Sequence, residues 1–195
     1  TRVRQLLLQQ VVERLRPRRV LEVGCGNGVN LMLLSARFPD IELTGVDLTP
    51  EGIRAATELQ RQGSLPEGMA AYGPQPAVDP TAFRRIAFRQ GDAGNLPFAD
   101  GSFDLVYTML ALEQMETLRD RALSQLARVA AGHVLMIEPF AEVNATFWRR
   151  LNVFRRNYFR GAIAGLPAYG LAPEIATGDF PQEVFLGAAM VLARK

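Results

Sequence analysis

Apolar positions along this chain alternate between two rhythms. Val3, Leu6, Leu7, Val11 and Leu15 recur at helical spacing with Arg and Gln between them, and Pro17 ends the pattern, which predicts an amphipathic helix over 1–17. "RVLEV", 19–23, is short, β-branched and closed by Gly24, so it reads as a buried strand. Leu31, Leu33, Leu34 and Phe38 then suit a helix closed by Pro39, and "IELTGVD", 41–47, is a second strand. The next helix runs to about residue 62, with Thr49 or Asp47 as its cap and Pro50 at its first position, where a missing N–H costs nothing.

Residues 63–80 break this alternation with four prolines and three glycines, which predicts an insertion loop. Loops beyond about 12 to 15 residues inside a compact domain are usually functional or disordered. The alternation resumes with strands over 85–92 and 102–109, a helix over 118–130, a strand over 133–139 and a long helix over about 142–160. A strand near 174–180 and the last stretch, "EVFLGAAMVLARK", complete the pattern. Strands alternating with helices imply an α/β, doubly wound, mainly parallel sheet with helices on both faces.

Composition narrows the class. At 195 residues the chain suits one domain spanning 1–195, and 48% hydrophobic with 22% charged residues is globular. No apolar run reaches the roughly 20 residues of a membrane helix, and the N-terminus lacks the pattern of a signal peptide, so the expected location is cytoplasmic. One cysteine and one histidine exclude an internal disulfide and a Cys/His metal cluster, so no metal is expected. Net charge is only +2, carried by 21 Arg and a single Lys, a mild hint of anionic partners. The sequence opens on Thr1 rather than Met, which points to a natural N-terminal piece outside it.

Candidate chemistry begins at "VLEVGCGNGVN", 20–30. Ligands of a doubly wound sheet sit at the carboxyl ends of the strands, and Gly24, Gly26 and Gly28 follow the first strand there. Glycine lets a ligand approach the main chain closely. A dinucleotide fingerprint needs G-x-G-x-x-G, but Val29 stands where its third glycine belongs, which counts against NAD and FAD. Asp47 closes the second strand about 20 residues on, where a carboxylate accepts from ribose hydroxyls of a dinucleotide or of another adenosine ligand; capping the following helix is its structural alternative.

"GDAGNLPFADGSFDLVYTMLALEQM", 91–115, adds Asp92 after the third strand and a Pro-Phe turn before the fourth. With "EVGCGNG", "GVDLTP" and "GHVLMIEPF", it resembles, from about residue 19 to 140, the class I S-adenosylmethionine-dependent methyltransferases of the common small-molecule type. The resemblance implies a Rossmann-like seven-stranded sheet whose C-terminal strand, "FLGAAMVLARK", inserts antiparallel between the fifth and sixth. It implies that Glu22, Gly24, Cys25 and Gly26 face the methionine moiety, that Asp47 holds the ribose and that Leu48 packs on adenine. Asp92 and the Ala93 N–H would meet the adenine, and Met109 and Leu110 would lie near the methionine end. Cys25 at such a position is a small packing residue rather than a nucleophile.

The function that follows is methyl transfer from S-adenosylmethionine to a small-molecule oxygen, nitrogen or carbon, leaving S-adenosylhomocysteine. An activated sulfonium methyl asks mainly for positioning and desolvation, and a base only if the nucleophile arrives protonated. Relatives of this type often carry a His after the fourth strand; here "ALEQM" offers Glu113 as candidate base, with Glu138 and Tyr107 as further acid–base candidates. An RNA or protein methyltransferase and a non-catalytic cofactor-binding module are the alternatives, but "IEPF" lacks the Asn/Asp-Pro-Pro-Tyr signature of many base-methylating relatives. The partner expected is a small-molecule acceptor, not nucleic acid. "FWRRLNVFRRNYFR", 147–160, could stack nucleic acid or meet an acidic membrane, but its spacing favours Phe147, Leu151, Phe154 and Tyr158 as one packed helical face with Arg149, Arg150 and Arg156 solvated. Trp148 and Phe159 are left to line an acceptor pocket.

Overall fold

The computed structural model describes residues 2–195; Thr1 of the predicted first helix lies outside the described residues. The elements, in order, are α1 (Arg2–Leu15), β1 (Arg19–Val23), α2 (Val29–Arg37), β2 (Glu42–Asp47), α3 (Pro50–Gln60), α4 (Glu67–Ala70), β3 (Ala87–Gln90), β4 (Phe103–Met109), α5 (Arg119–Val129), β5 (Ala130–Glu138), α6 (Phe147–Arg155), β6 (Ala172–Thr177) and β7 (Ala189–Arg194). The seven strands form one sheet in the order β3-β2-β1-β4-β5-β7-β6. β7 runs antiparallel to both β5 and β6, while the β1–β2, β2–β3 and β4–β5 pairs are parallel, as the resemblance implied.

The chain divides into two compact units, Thr1–Asp92 and Ala93–Lys195. In the first, β1 is buried from Val20 to Val23 without alternation, the mark of a strand covered on both faces. α2 and α3 pack on β2, and α1 packs on α2. In the second, β5 is buried from Val134 to Glu138 and β7 from Ala189 to Ala193, with α5 packed on β4 and β5.

Three elements differ from the sequence expectation. The buried face of α1 is Gln5, Leu8, Gln9, Val11 and Val12, rotated from the predicted stripe, and Leu6 is 40% exposed. Two glutamines, Gln5 and Gln9, are buried on that face; the Gln5 side-chain amide donates to Asn30 Oδ1 of α2, a partner that hydrophobic periodicity does not register. The insertion 63–80 contains the one-turn α4. The long helix over 142–160 is instead a 3₁₀ turn over Ala141–Asn144, α6 of nine residues, and a loop, then a second 3₁₀ turn over Ile163–Tyr169. Asn144 breaks the helix by directing its side chain to backbone: it donates to the Phe140 and Gly187 carbonyls at 3.0 and 2.9 Å and accepts from Gly187 N at 2.8 Å. Among the described residues, no helix is long and apolar enough to cross a membrane.

Candidate functional site

At the carboxyl end of β1 the chain turns so tightly that Gly24 N and Cys25 N both donate to the Val46 carbonyl of β2, at 2.7 and 3.0 Å. Gly26 has φ +51°, and a Cβ built there would meet nothing within 4 Å, so open space faces its backbone. Gly28, at φ +75°, is different: a Cβ there would overlap the Phe88 ring, 2.6 Å from Cε1. The turn is fastened to β2 through the Gly26 N–H, which donates to Asp47 Oδ2 at 2.8 Å. Asp47 Oδ1 accepts from Thr49 N at 2.9 Å and from the Thr49 hydroxyl at 2.6 Å.

That geometry resolves the capping question. Thr49 is the N-cap of α3, accepting from Gly52 N at 3.2 Å, and Asp47 holds the cap in place rather than capping. A carboxylate has about four lone-pair positions, so the three bonds that Asp47 accepts leave one on Oδ2 for a further donor. Leu48 beside it is 60% exposed, an apolar side chain with a free face. Gln90 and Gly91 fix this corner from β3: Gln90 Nε2 donates to the Leu48 carbonyl at 3.1 Å and Gly91 N to the Asp47 carbonyl at 2.9 Å. Asp92, the last residue of the first unit, is exposed.

Glu22 is fully buried on β1 and accepts from Asn30 Nδ2 at 2.8 Å. Asn30 in turn accepts from Gln5, so a polar chain runs from α1 through α2 to the base of the glycine turn. Sequence reasoning missed Gln5, buried on α1, and Asn30, half-buried on α2; polar side chains on otherwise apolar helix faces were their only signal. Cys25 is 5% exposed, and burial, with the Glu22 and Asp47 carboxylates nearby, pushes its thiol far up. In the folded chain it is a packing residue, not a thiolate. An exposed-thiol reagent such as dithiobis(nitrobenzoate) is expected to label it on the order of 100-fold more slowly than in denaturant, and equal rates would contradict this assignment.

In the second unit, Ala93 is buried and Met109 closes β4. Leu110 follows in the left-handed region at φ +54°, a conformation that costs a branched side chain roughly 1–2 kcal/mol. Two bonds hold it there: Leu110 N donates to the Ile137 carbonyl, and Ala111 N to Glu138 Oε1, both at 3.0 Å. Glu138 is fully buried, and burial raises its carboxyl to about 8. Tyr107 is fully buried too, so neither it nor Glu138 reaches solvent. Glu113 is partly exposed on the 3₁₀ turn Leu112–Gln114, and its carbonyl accepts from Phe159 N at 3.0 Å. Glu116, also missed, clamps the same loop: it pairs with Arg119 at 2.9 Å and with Arg160 at 3.0 Å. His133 pairs with Glu174 at 3.3 Å, well before the carboxyl end of β5.

A cavity of about 780 Å³ opens just beyond that carboxyl end, beside Pro139 and Ala141. Phe147, Leu151, Phe154 and Phe159 line it, with Arg150 and Arg160 as its charged groups. Phe159 is fully buried, edge-on to Phe140 at 5.4 Å. The face expected to pack does not: Phe147, Leu151 and Phe154 are 71%, 38% and 69% exposed, because α6 ends at Arg155 before reaching Tyr158 and, among the described residues, no element covers it. Among the described residues, no group of three or more His, Cys, Asp or Glu is placed to hold a metal ion.

Residues 21–136 match the family model described as a methyltransferase domain. The chain is 28% identical over 130 residues to norajmaline N-methyltransferase of Rauvolfia serpentina, covering 66% of this chain and 38% of that protein. It is 35% identical over 118 residues to the malonyl-[acyl-carrier protein] O-methyltransferase of Laribacter hongkongensis, covering 58% and 34%. It thus spans little more than a third of the length of these curated relatives. Among solved structures, the YcgJ protein of Bacillus subtilis superposes with a TM-score of 0.66 at 18% identity, covering 98% of this chain and 97% of that one. With a family match over more than half its length and the seven-stranded order of that fold, this chain belongs to the class I S-adenosylmethionine-dependent methyltransferases.

Proposed function

We propose that the chain transfers a methyl group from S-adenosylmethionine to a small-molecule oxygen, nitrogen or carbon nucleophile. The observation that carries this reading is the bond from the Gly26 N–H to Asp47 Oδ2, which ties an open glycine turn to a carboxylate with a lone pair to spare. The residues fit the cofactor: Gly24 and Gly26 offer approachable backbone with Cys25 packed between them, Asp47 an acceptor for ribose hydroxyls, and Leu48 an exposed apolar face for adenine. Glu22 would face the amino group of the methionine moiety, its carboxylate oriented by Asn30. By resemblance, Asp92 and the Ala93 N–H serve the adenine, and Met109 and Leu110 the methionine end.

S-Adenosylmethionine supplies an activated methyl, so the protein's task is to orient the nucleophile and exclude water. Glu113 is the base in this reading, being the partly exposed carboxylate on the turn that follows β4. Glu138 and Tyr107, fully buried, act through structure instead. The 780 Å³ cavity is the acceptor pocket, within the roughly 300–1,000 Å³ range of small-molecule sites. Both relatives described above are named for small-molecule or carrier-bound acceptors, one methylated at nitrogen and one at oxygen, which supports the class of acceptor and leaves its attacking atom open.

Calorimetric titration tests the reading. S-Adenosylhomocysteine is expected to bind saturably, NAD not to bind, and Asp47→Ala to weaken binding by roughly 10- to 100-fold, the effect of losing hydrogen bonds to a charged group. A folded wild-type chain that ignores S-adenosylhomocysteine would sink the cofactor assignment. Binding without methyl transfer to any acceptor would mark a non-catalytic binding module.

A further inference from the structure

Helix α6 turns its apolar side chains to solvent. Phe147, Trp148, Leu151 and Phe154 are 71%, 65%, 38% and 69% exposed, and their spacing places them on one side of the helix. A second segment lies against α6: Arg149 donates to the Glu183 and Val184 carbonyls at 2.9 and 3.3 Å, and Asn152 to the Phe185 carbonyl at 3.0 Å. That segment adds Val184, 78% exposed, and Phe185, 60% exposed. Six large apolar side chains thus stand on two joined segments, more than the scattered exposed residues of an ordinary surface.

The charges on α6 have one sign, and the second segment adds a single carboxylate, the exposed Glu183. From Val143 to Pro173 the sequence holds five arginines and no Asp or Glu. Arg149 is spent on backbone carbonyls and Arg160 pairs with Glu116. Among the described residues no carboxylate pairs with Arg150, Arg155 or Arg156, so their charge is available to an anionic surface. A helix with Trp, Phe and Leu projecting and Arg at its flanks has the composition of an element that lies in a membrane interface. Apolar rings reach below the headgroups, and guanidinium groups meet lipid phosphates.

We propose that α6 and the 183–185 segment seat this chain on an anionic lipid bilayer. This surface shares Phe147, Leu151 and Phe154 with the cavity proposed for the acceptor but none of the residues proposed for the cofactor, and its test does not depend on catalysis.

Trp148 is the single tryptophan of the chain, so its fluorescence reports this patch alone. With vesicles of phosphatidylcholine and phosphatidylglycerol, Trp148 emission is expected to shift to the blue saturably, and the shift to weaken with added salt. Vesicles of phosphatidylcholine alone are expected to bind far less. Arg155→Gln with Arg156→Gln is expected to lower partitioning roughly 25-fold, about fivefold per charge. Val184→Ser with Phe185→Ser is expected to reduce the shift while leaving S-adenosylhomocysteine binding and cooperative unfolding unchanged. No shift from a folded wild-type chain on anionic vesicles would overturn the proposal. So would a lipid-independent shift that grows with protein concentration, which would assign the face to a second copy, or quenching by RNA that vesicles fail to displace.

Discussion

Gly28→Ala is expected to destabilise the chain by about 3 kcal/mol, from a left-handed backbone penalty of roughly 1–2 kcal/mol and an overpacking cost of at least about 1 kcal/mol. Gly28 sits at φ +75° where the glycine turn becomes α2, donating to the Cys25 carbonyl at 2.8 Å and accepting from Met32 N at 3.0 Å. A methyl there would overlap the far edge of the Phe88 ring and lie 3.3 Å from the Ala56 side chain, so the ring would have to be displaced. Gly26→Ala is the informative companion. Its φ of +51° carries the same backbone penalty, but its methyl would meet nothing within 4 Å. Gly26→Ala is therefore expected to lose only about 1 kcal/mol of stability while weakening S-adenosylhomocysteine, because the methyl projects into the space proposed for the ligand. Urea unfolding and calorimetry on both variants separate the roles. Equal stability losses would show that the Phe88 contact is not what requires glycine at 28.

The division between Gly26 and Gly28 marks how far the sequence could be read. The turn itself was legible, because a β-branched run stopping at Gly24 and an acid closing the next strand are local patterns. Phe88 was not, since its ring reaches both Gly28 and Gly45 from a strand some 40 to 60 residues away in sequence. The insertion of β7 between β5 and β6 came from family resemblance, not from periodicity. Hydrophobic spacing misread α1 because Gln5 and Gln9 occupy buried positions, where Gln5 serves a hydrogen-bond chain to Glu22. It misread 142–160 twice: Asn144 breaks the helix by bonding to backbone, and the aromatic face of α6 has no neighbour to bury it. In both cases periodicity described an amphipathic helix correctly and left open what its apolar face would meet.

Glu138→Ala is expected to cost about 3 kcal/mol or more, since it opens a buried cavity and leaves buried donors without an acceptor. Ala111 N donates to Glu138 Oε1 at 3.0 Å and the Leu112 backbone donates as well, so this carboxyl holds the turn that keeps Leu110 at φ +54°. Burial, with Glu113 nearby, raises the carboxyl from an ordinary 4.5 to about 8. At neutral pH it is therefore mostly protonated in the folded chain and ionised in the unfolded one, and unfolding releases its proton. Its contribution to stability is full below pH 4.5, falls as pH rises toward about 8, and changes no further beyond. The slope inside that window approaches roughly 1.4 kcal/mol per pH unit for one proton. Glu138→Gln keeps the shape and an oxygen for Ala111 N but cannot ionise, so it is expected to flatten this slope and to rival or exceed the wild type in stability at pH 8 to 9. Urea unfolding of wild type, Glu138→Gln and Glu138→Ala from pH 5 to 9 measures it. A glutamine variant with the wild-type slope would show that Glu138 is already ionised in the fold. The grip on Leu110 would then rest on a buried carboxylate charge, and the loss in the alanine variant would stay constant from pH 5 to 9 rather than shrink as pH rises.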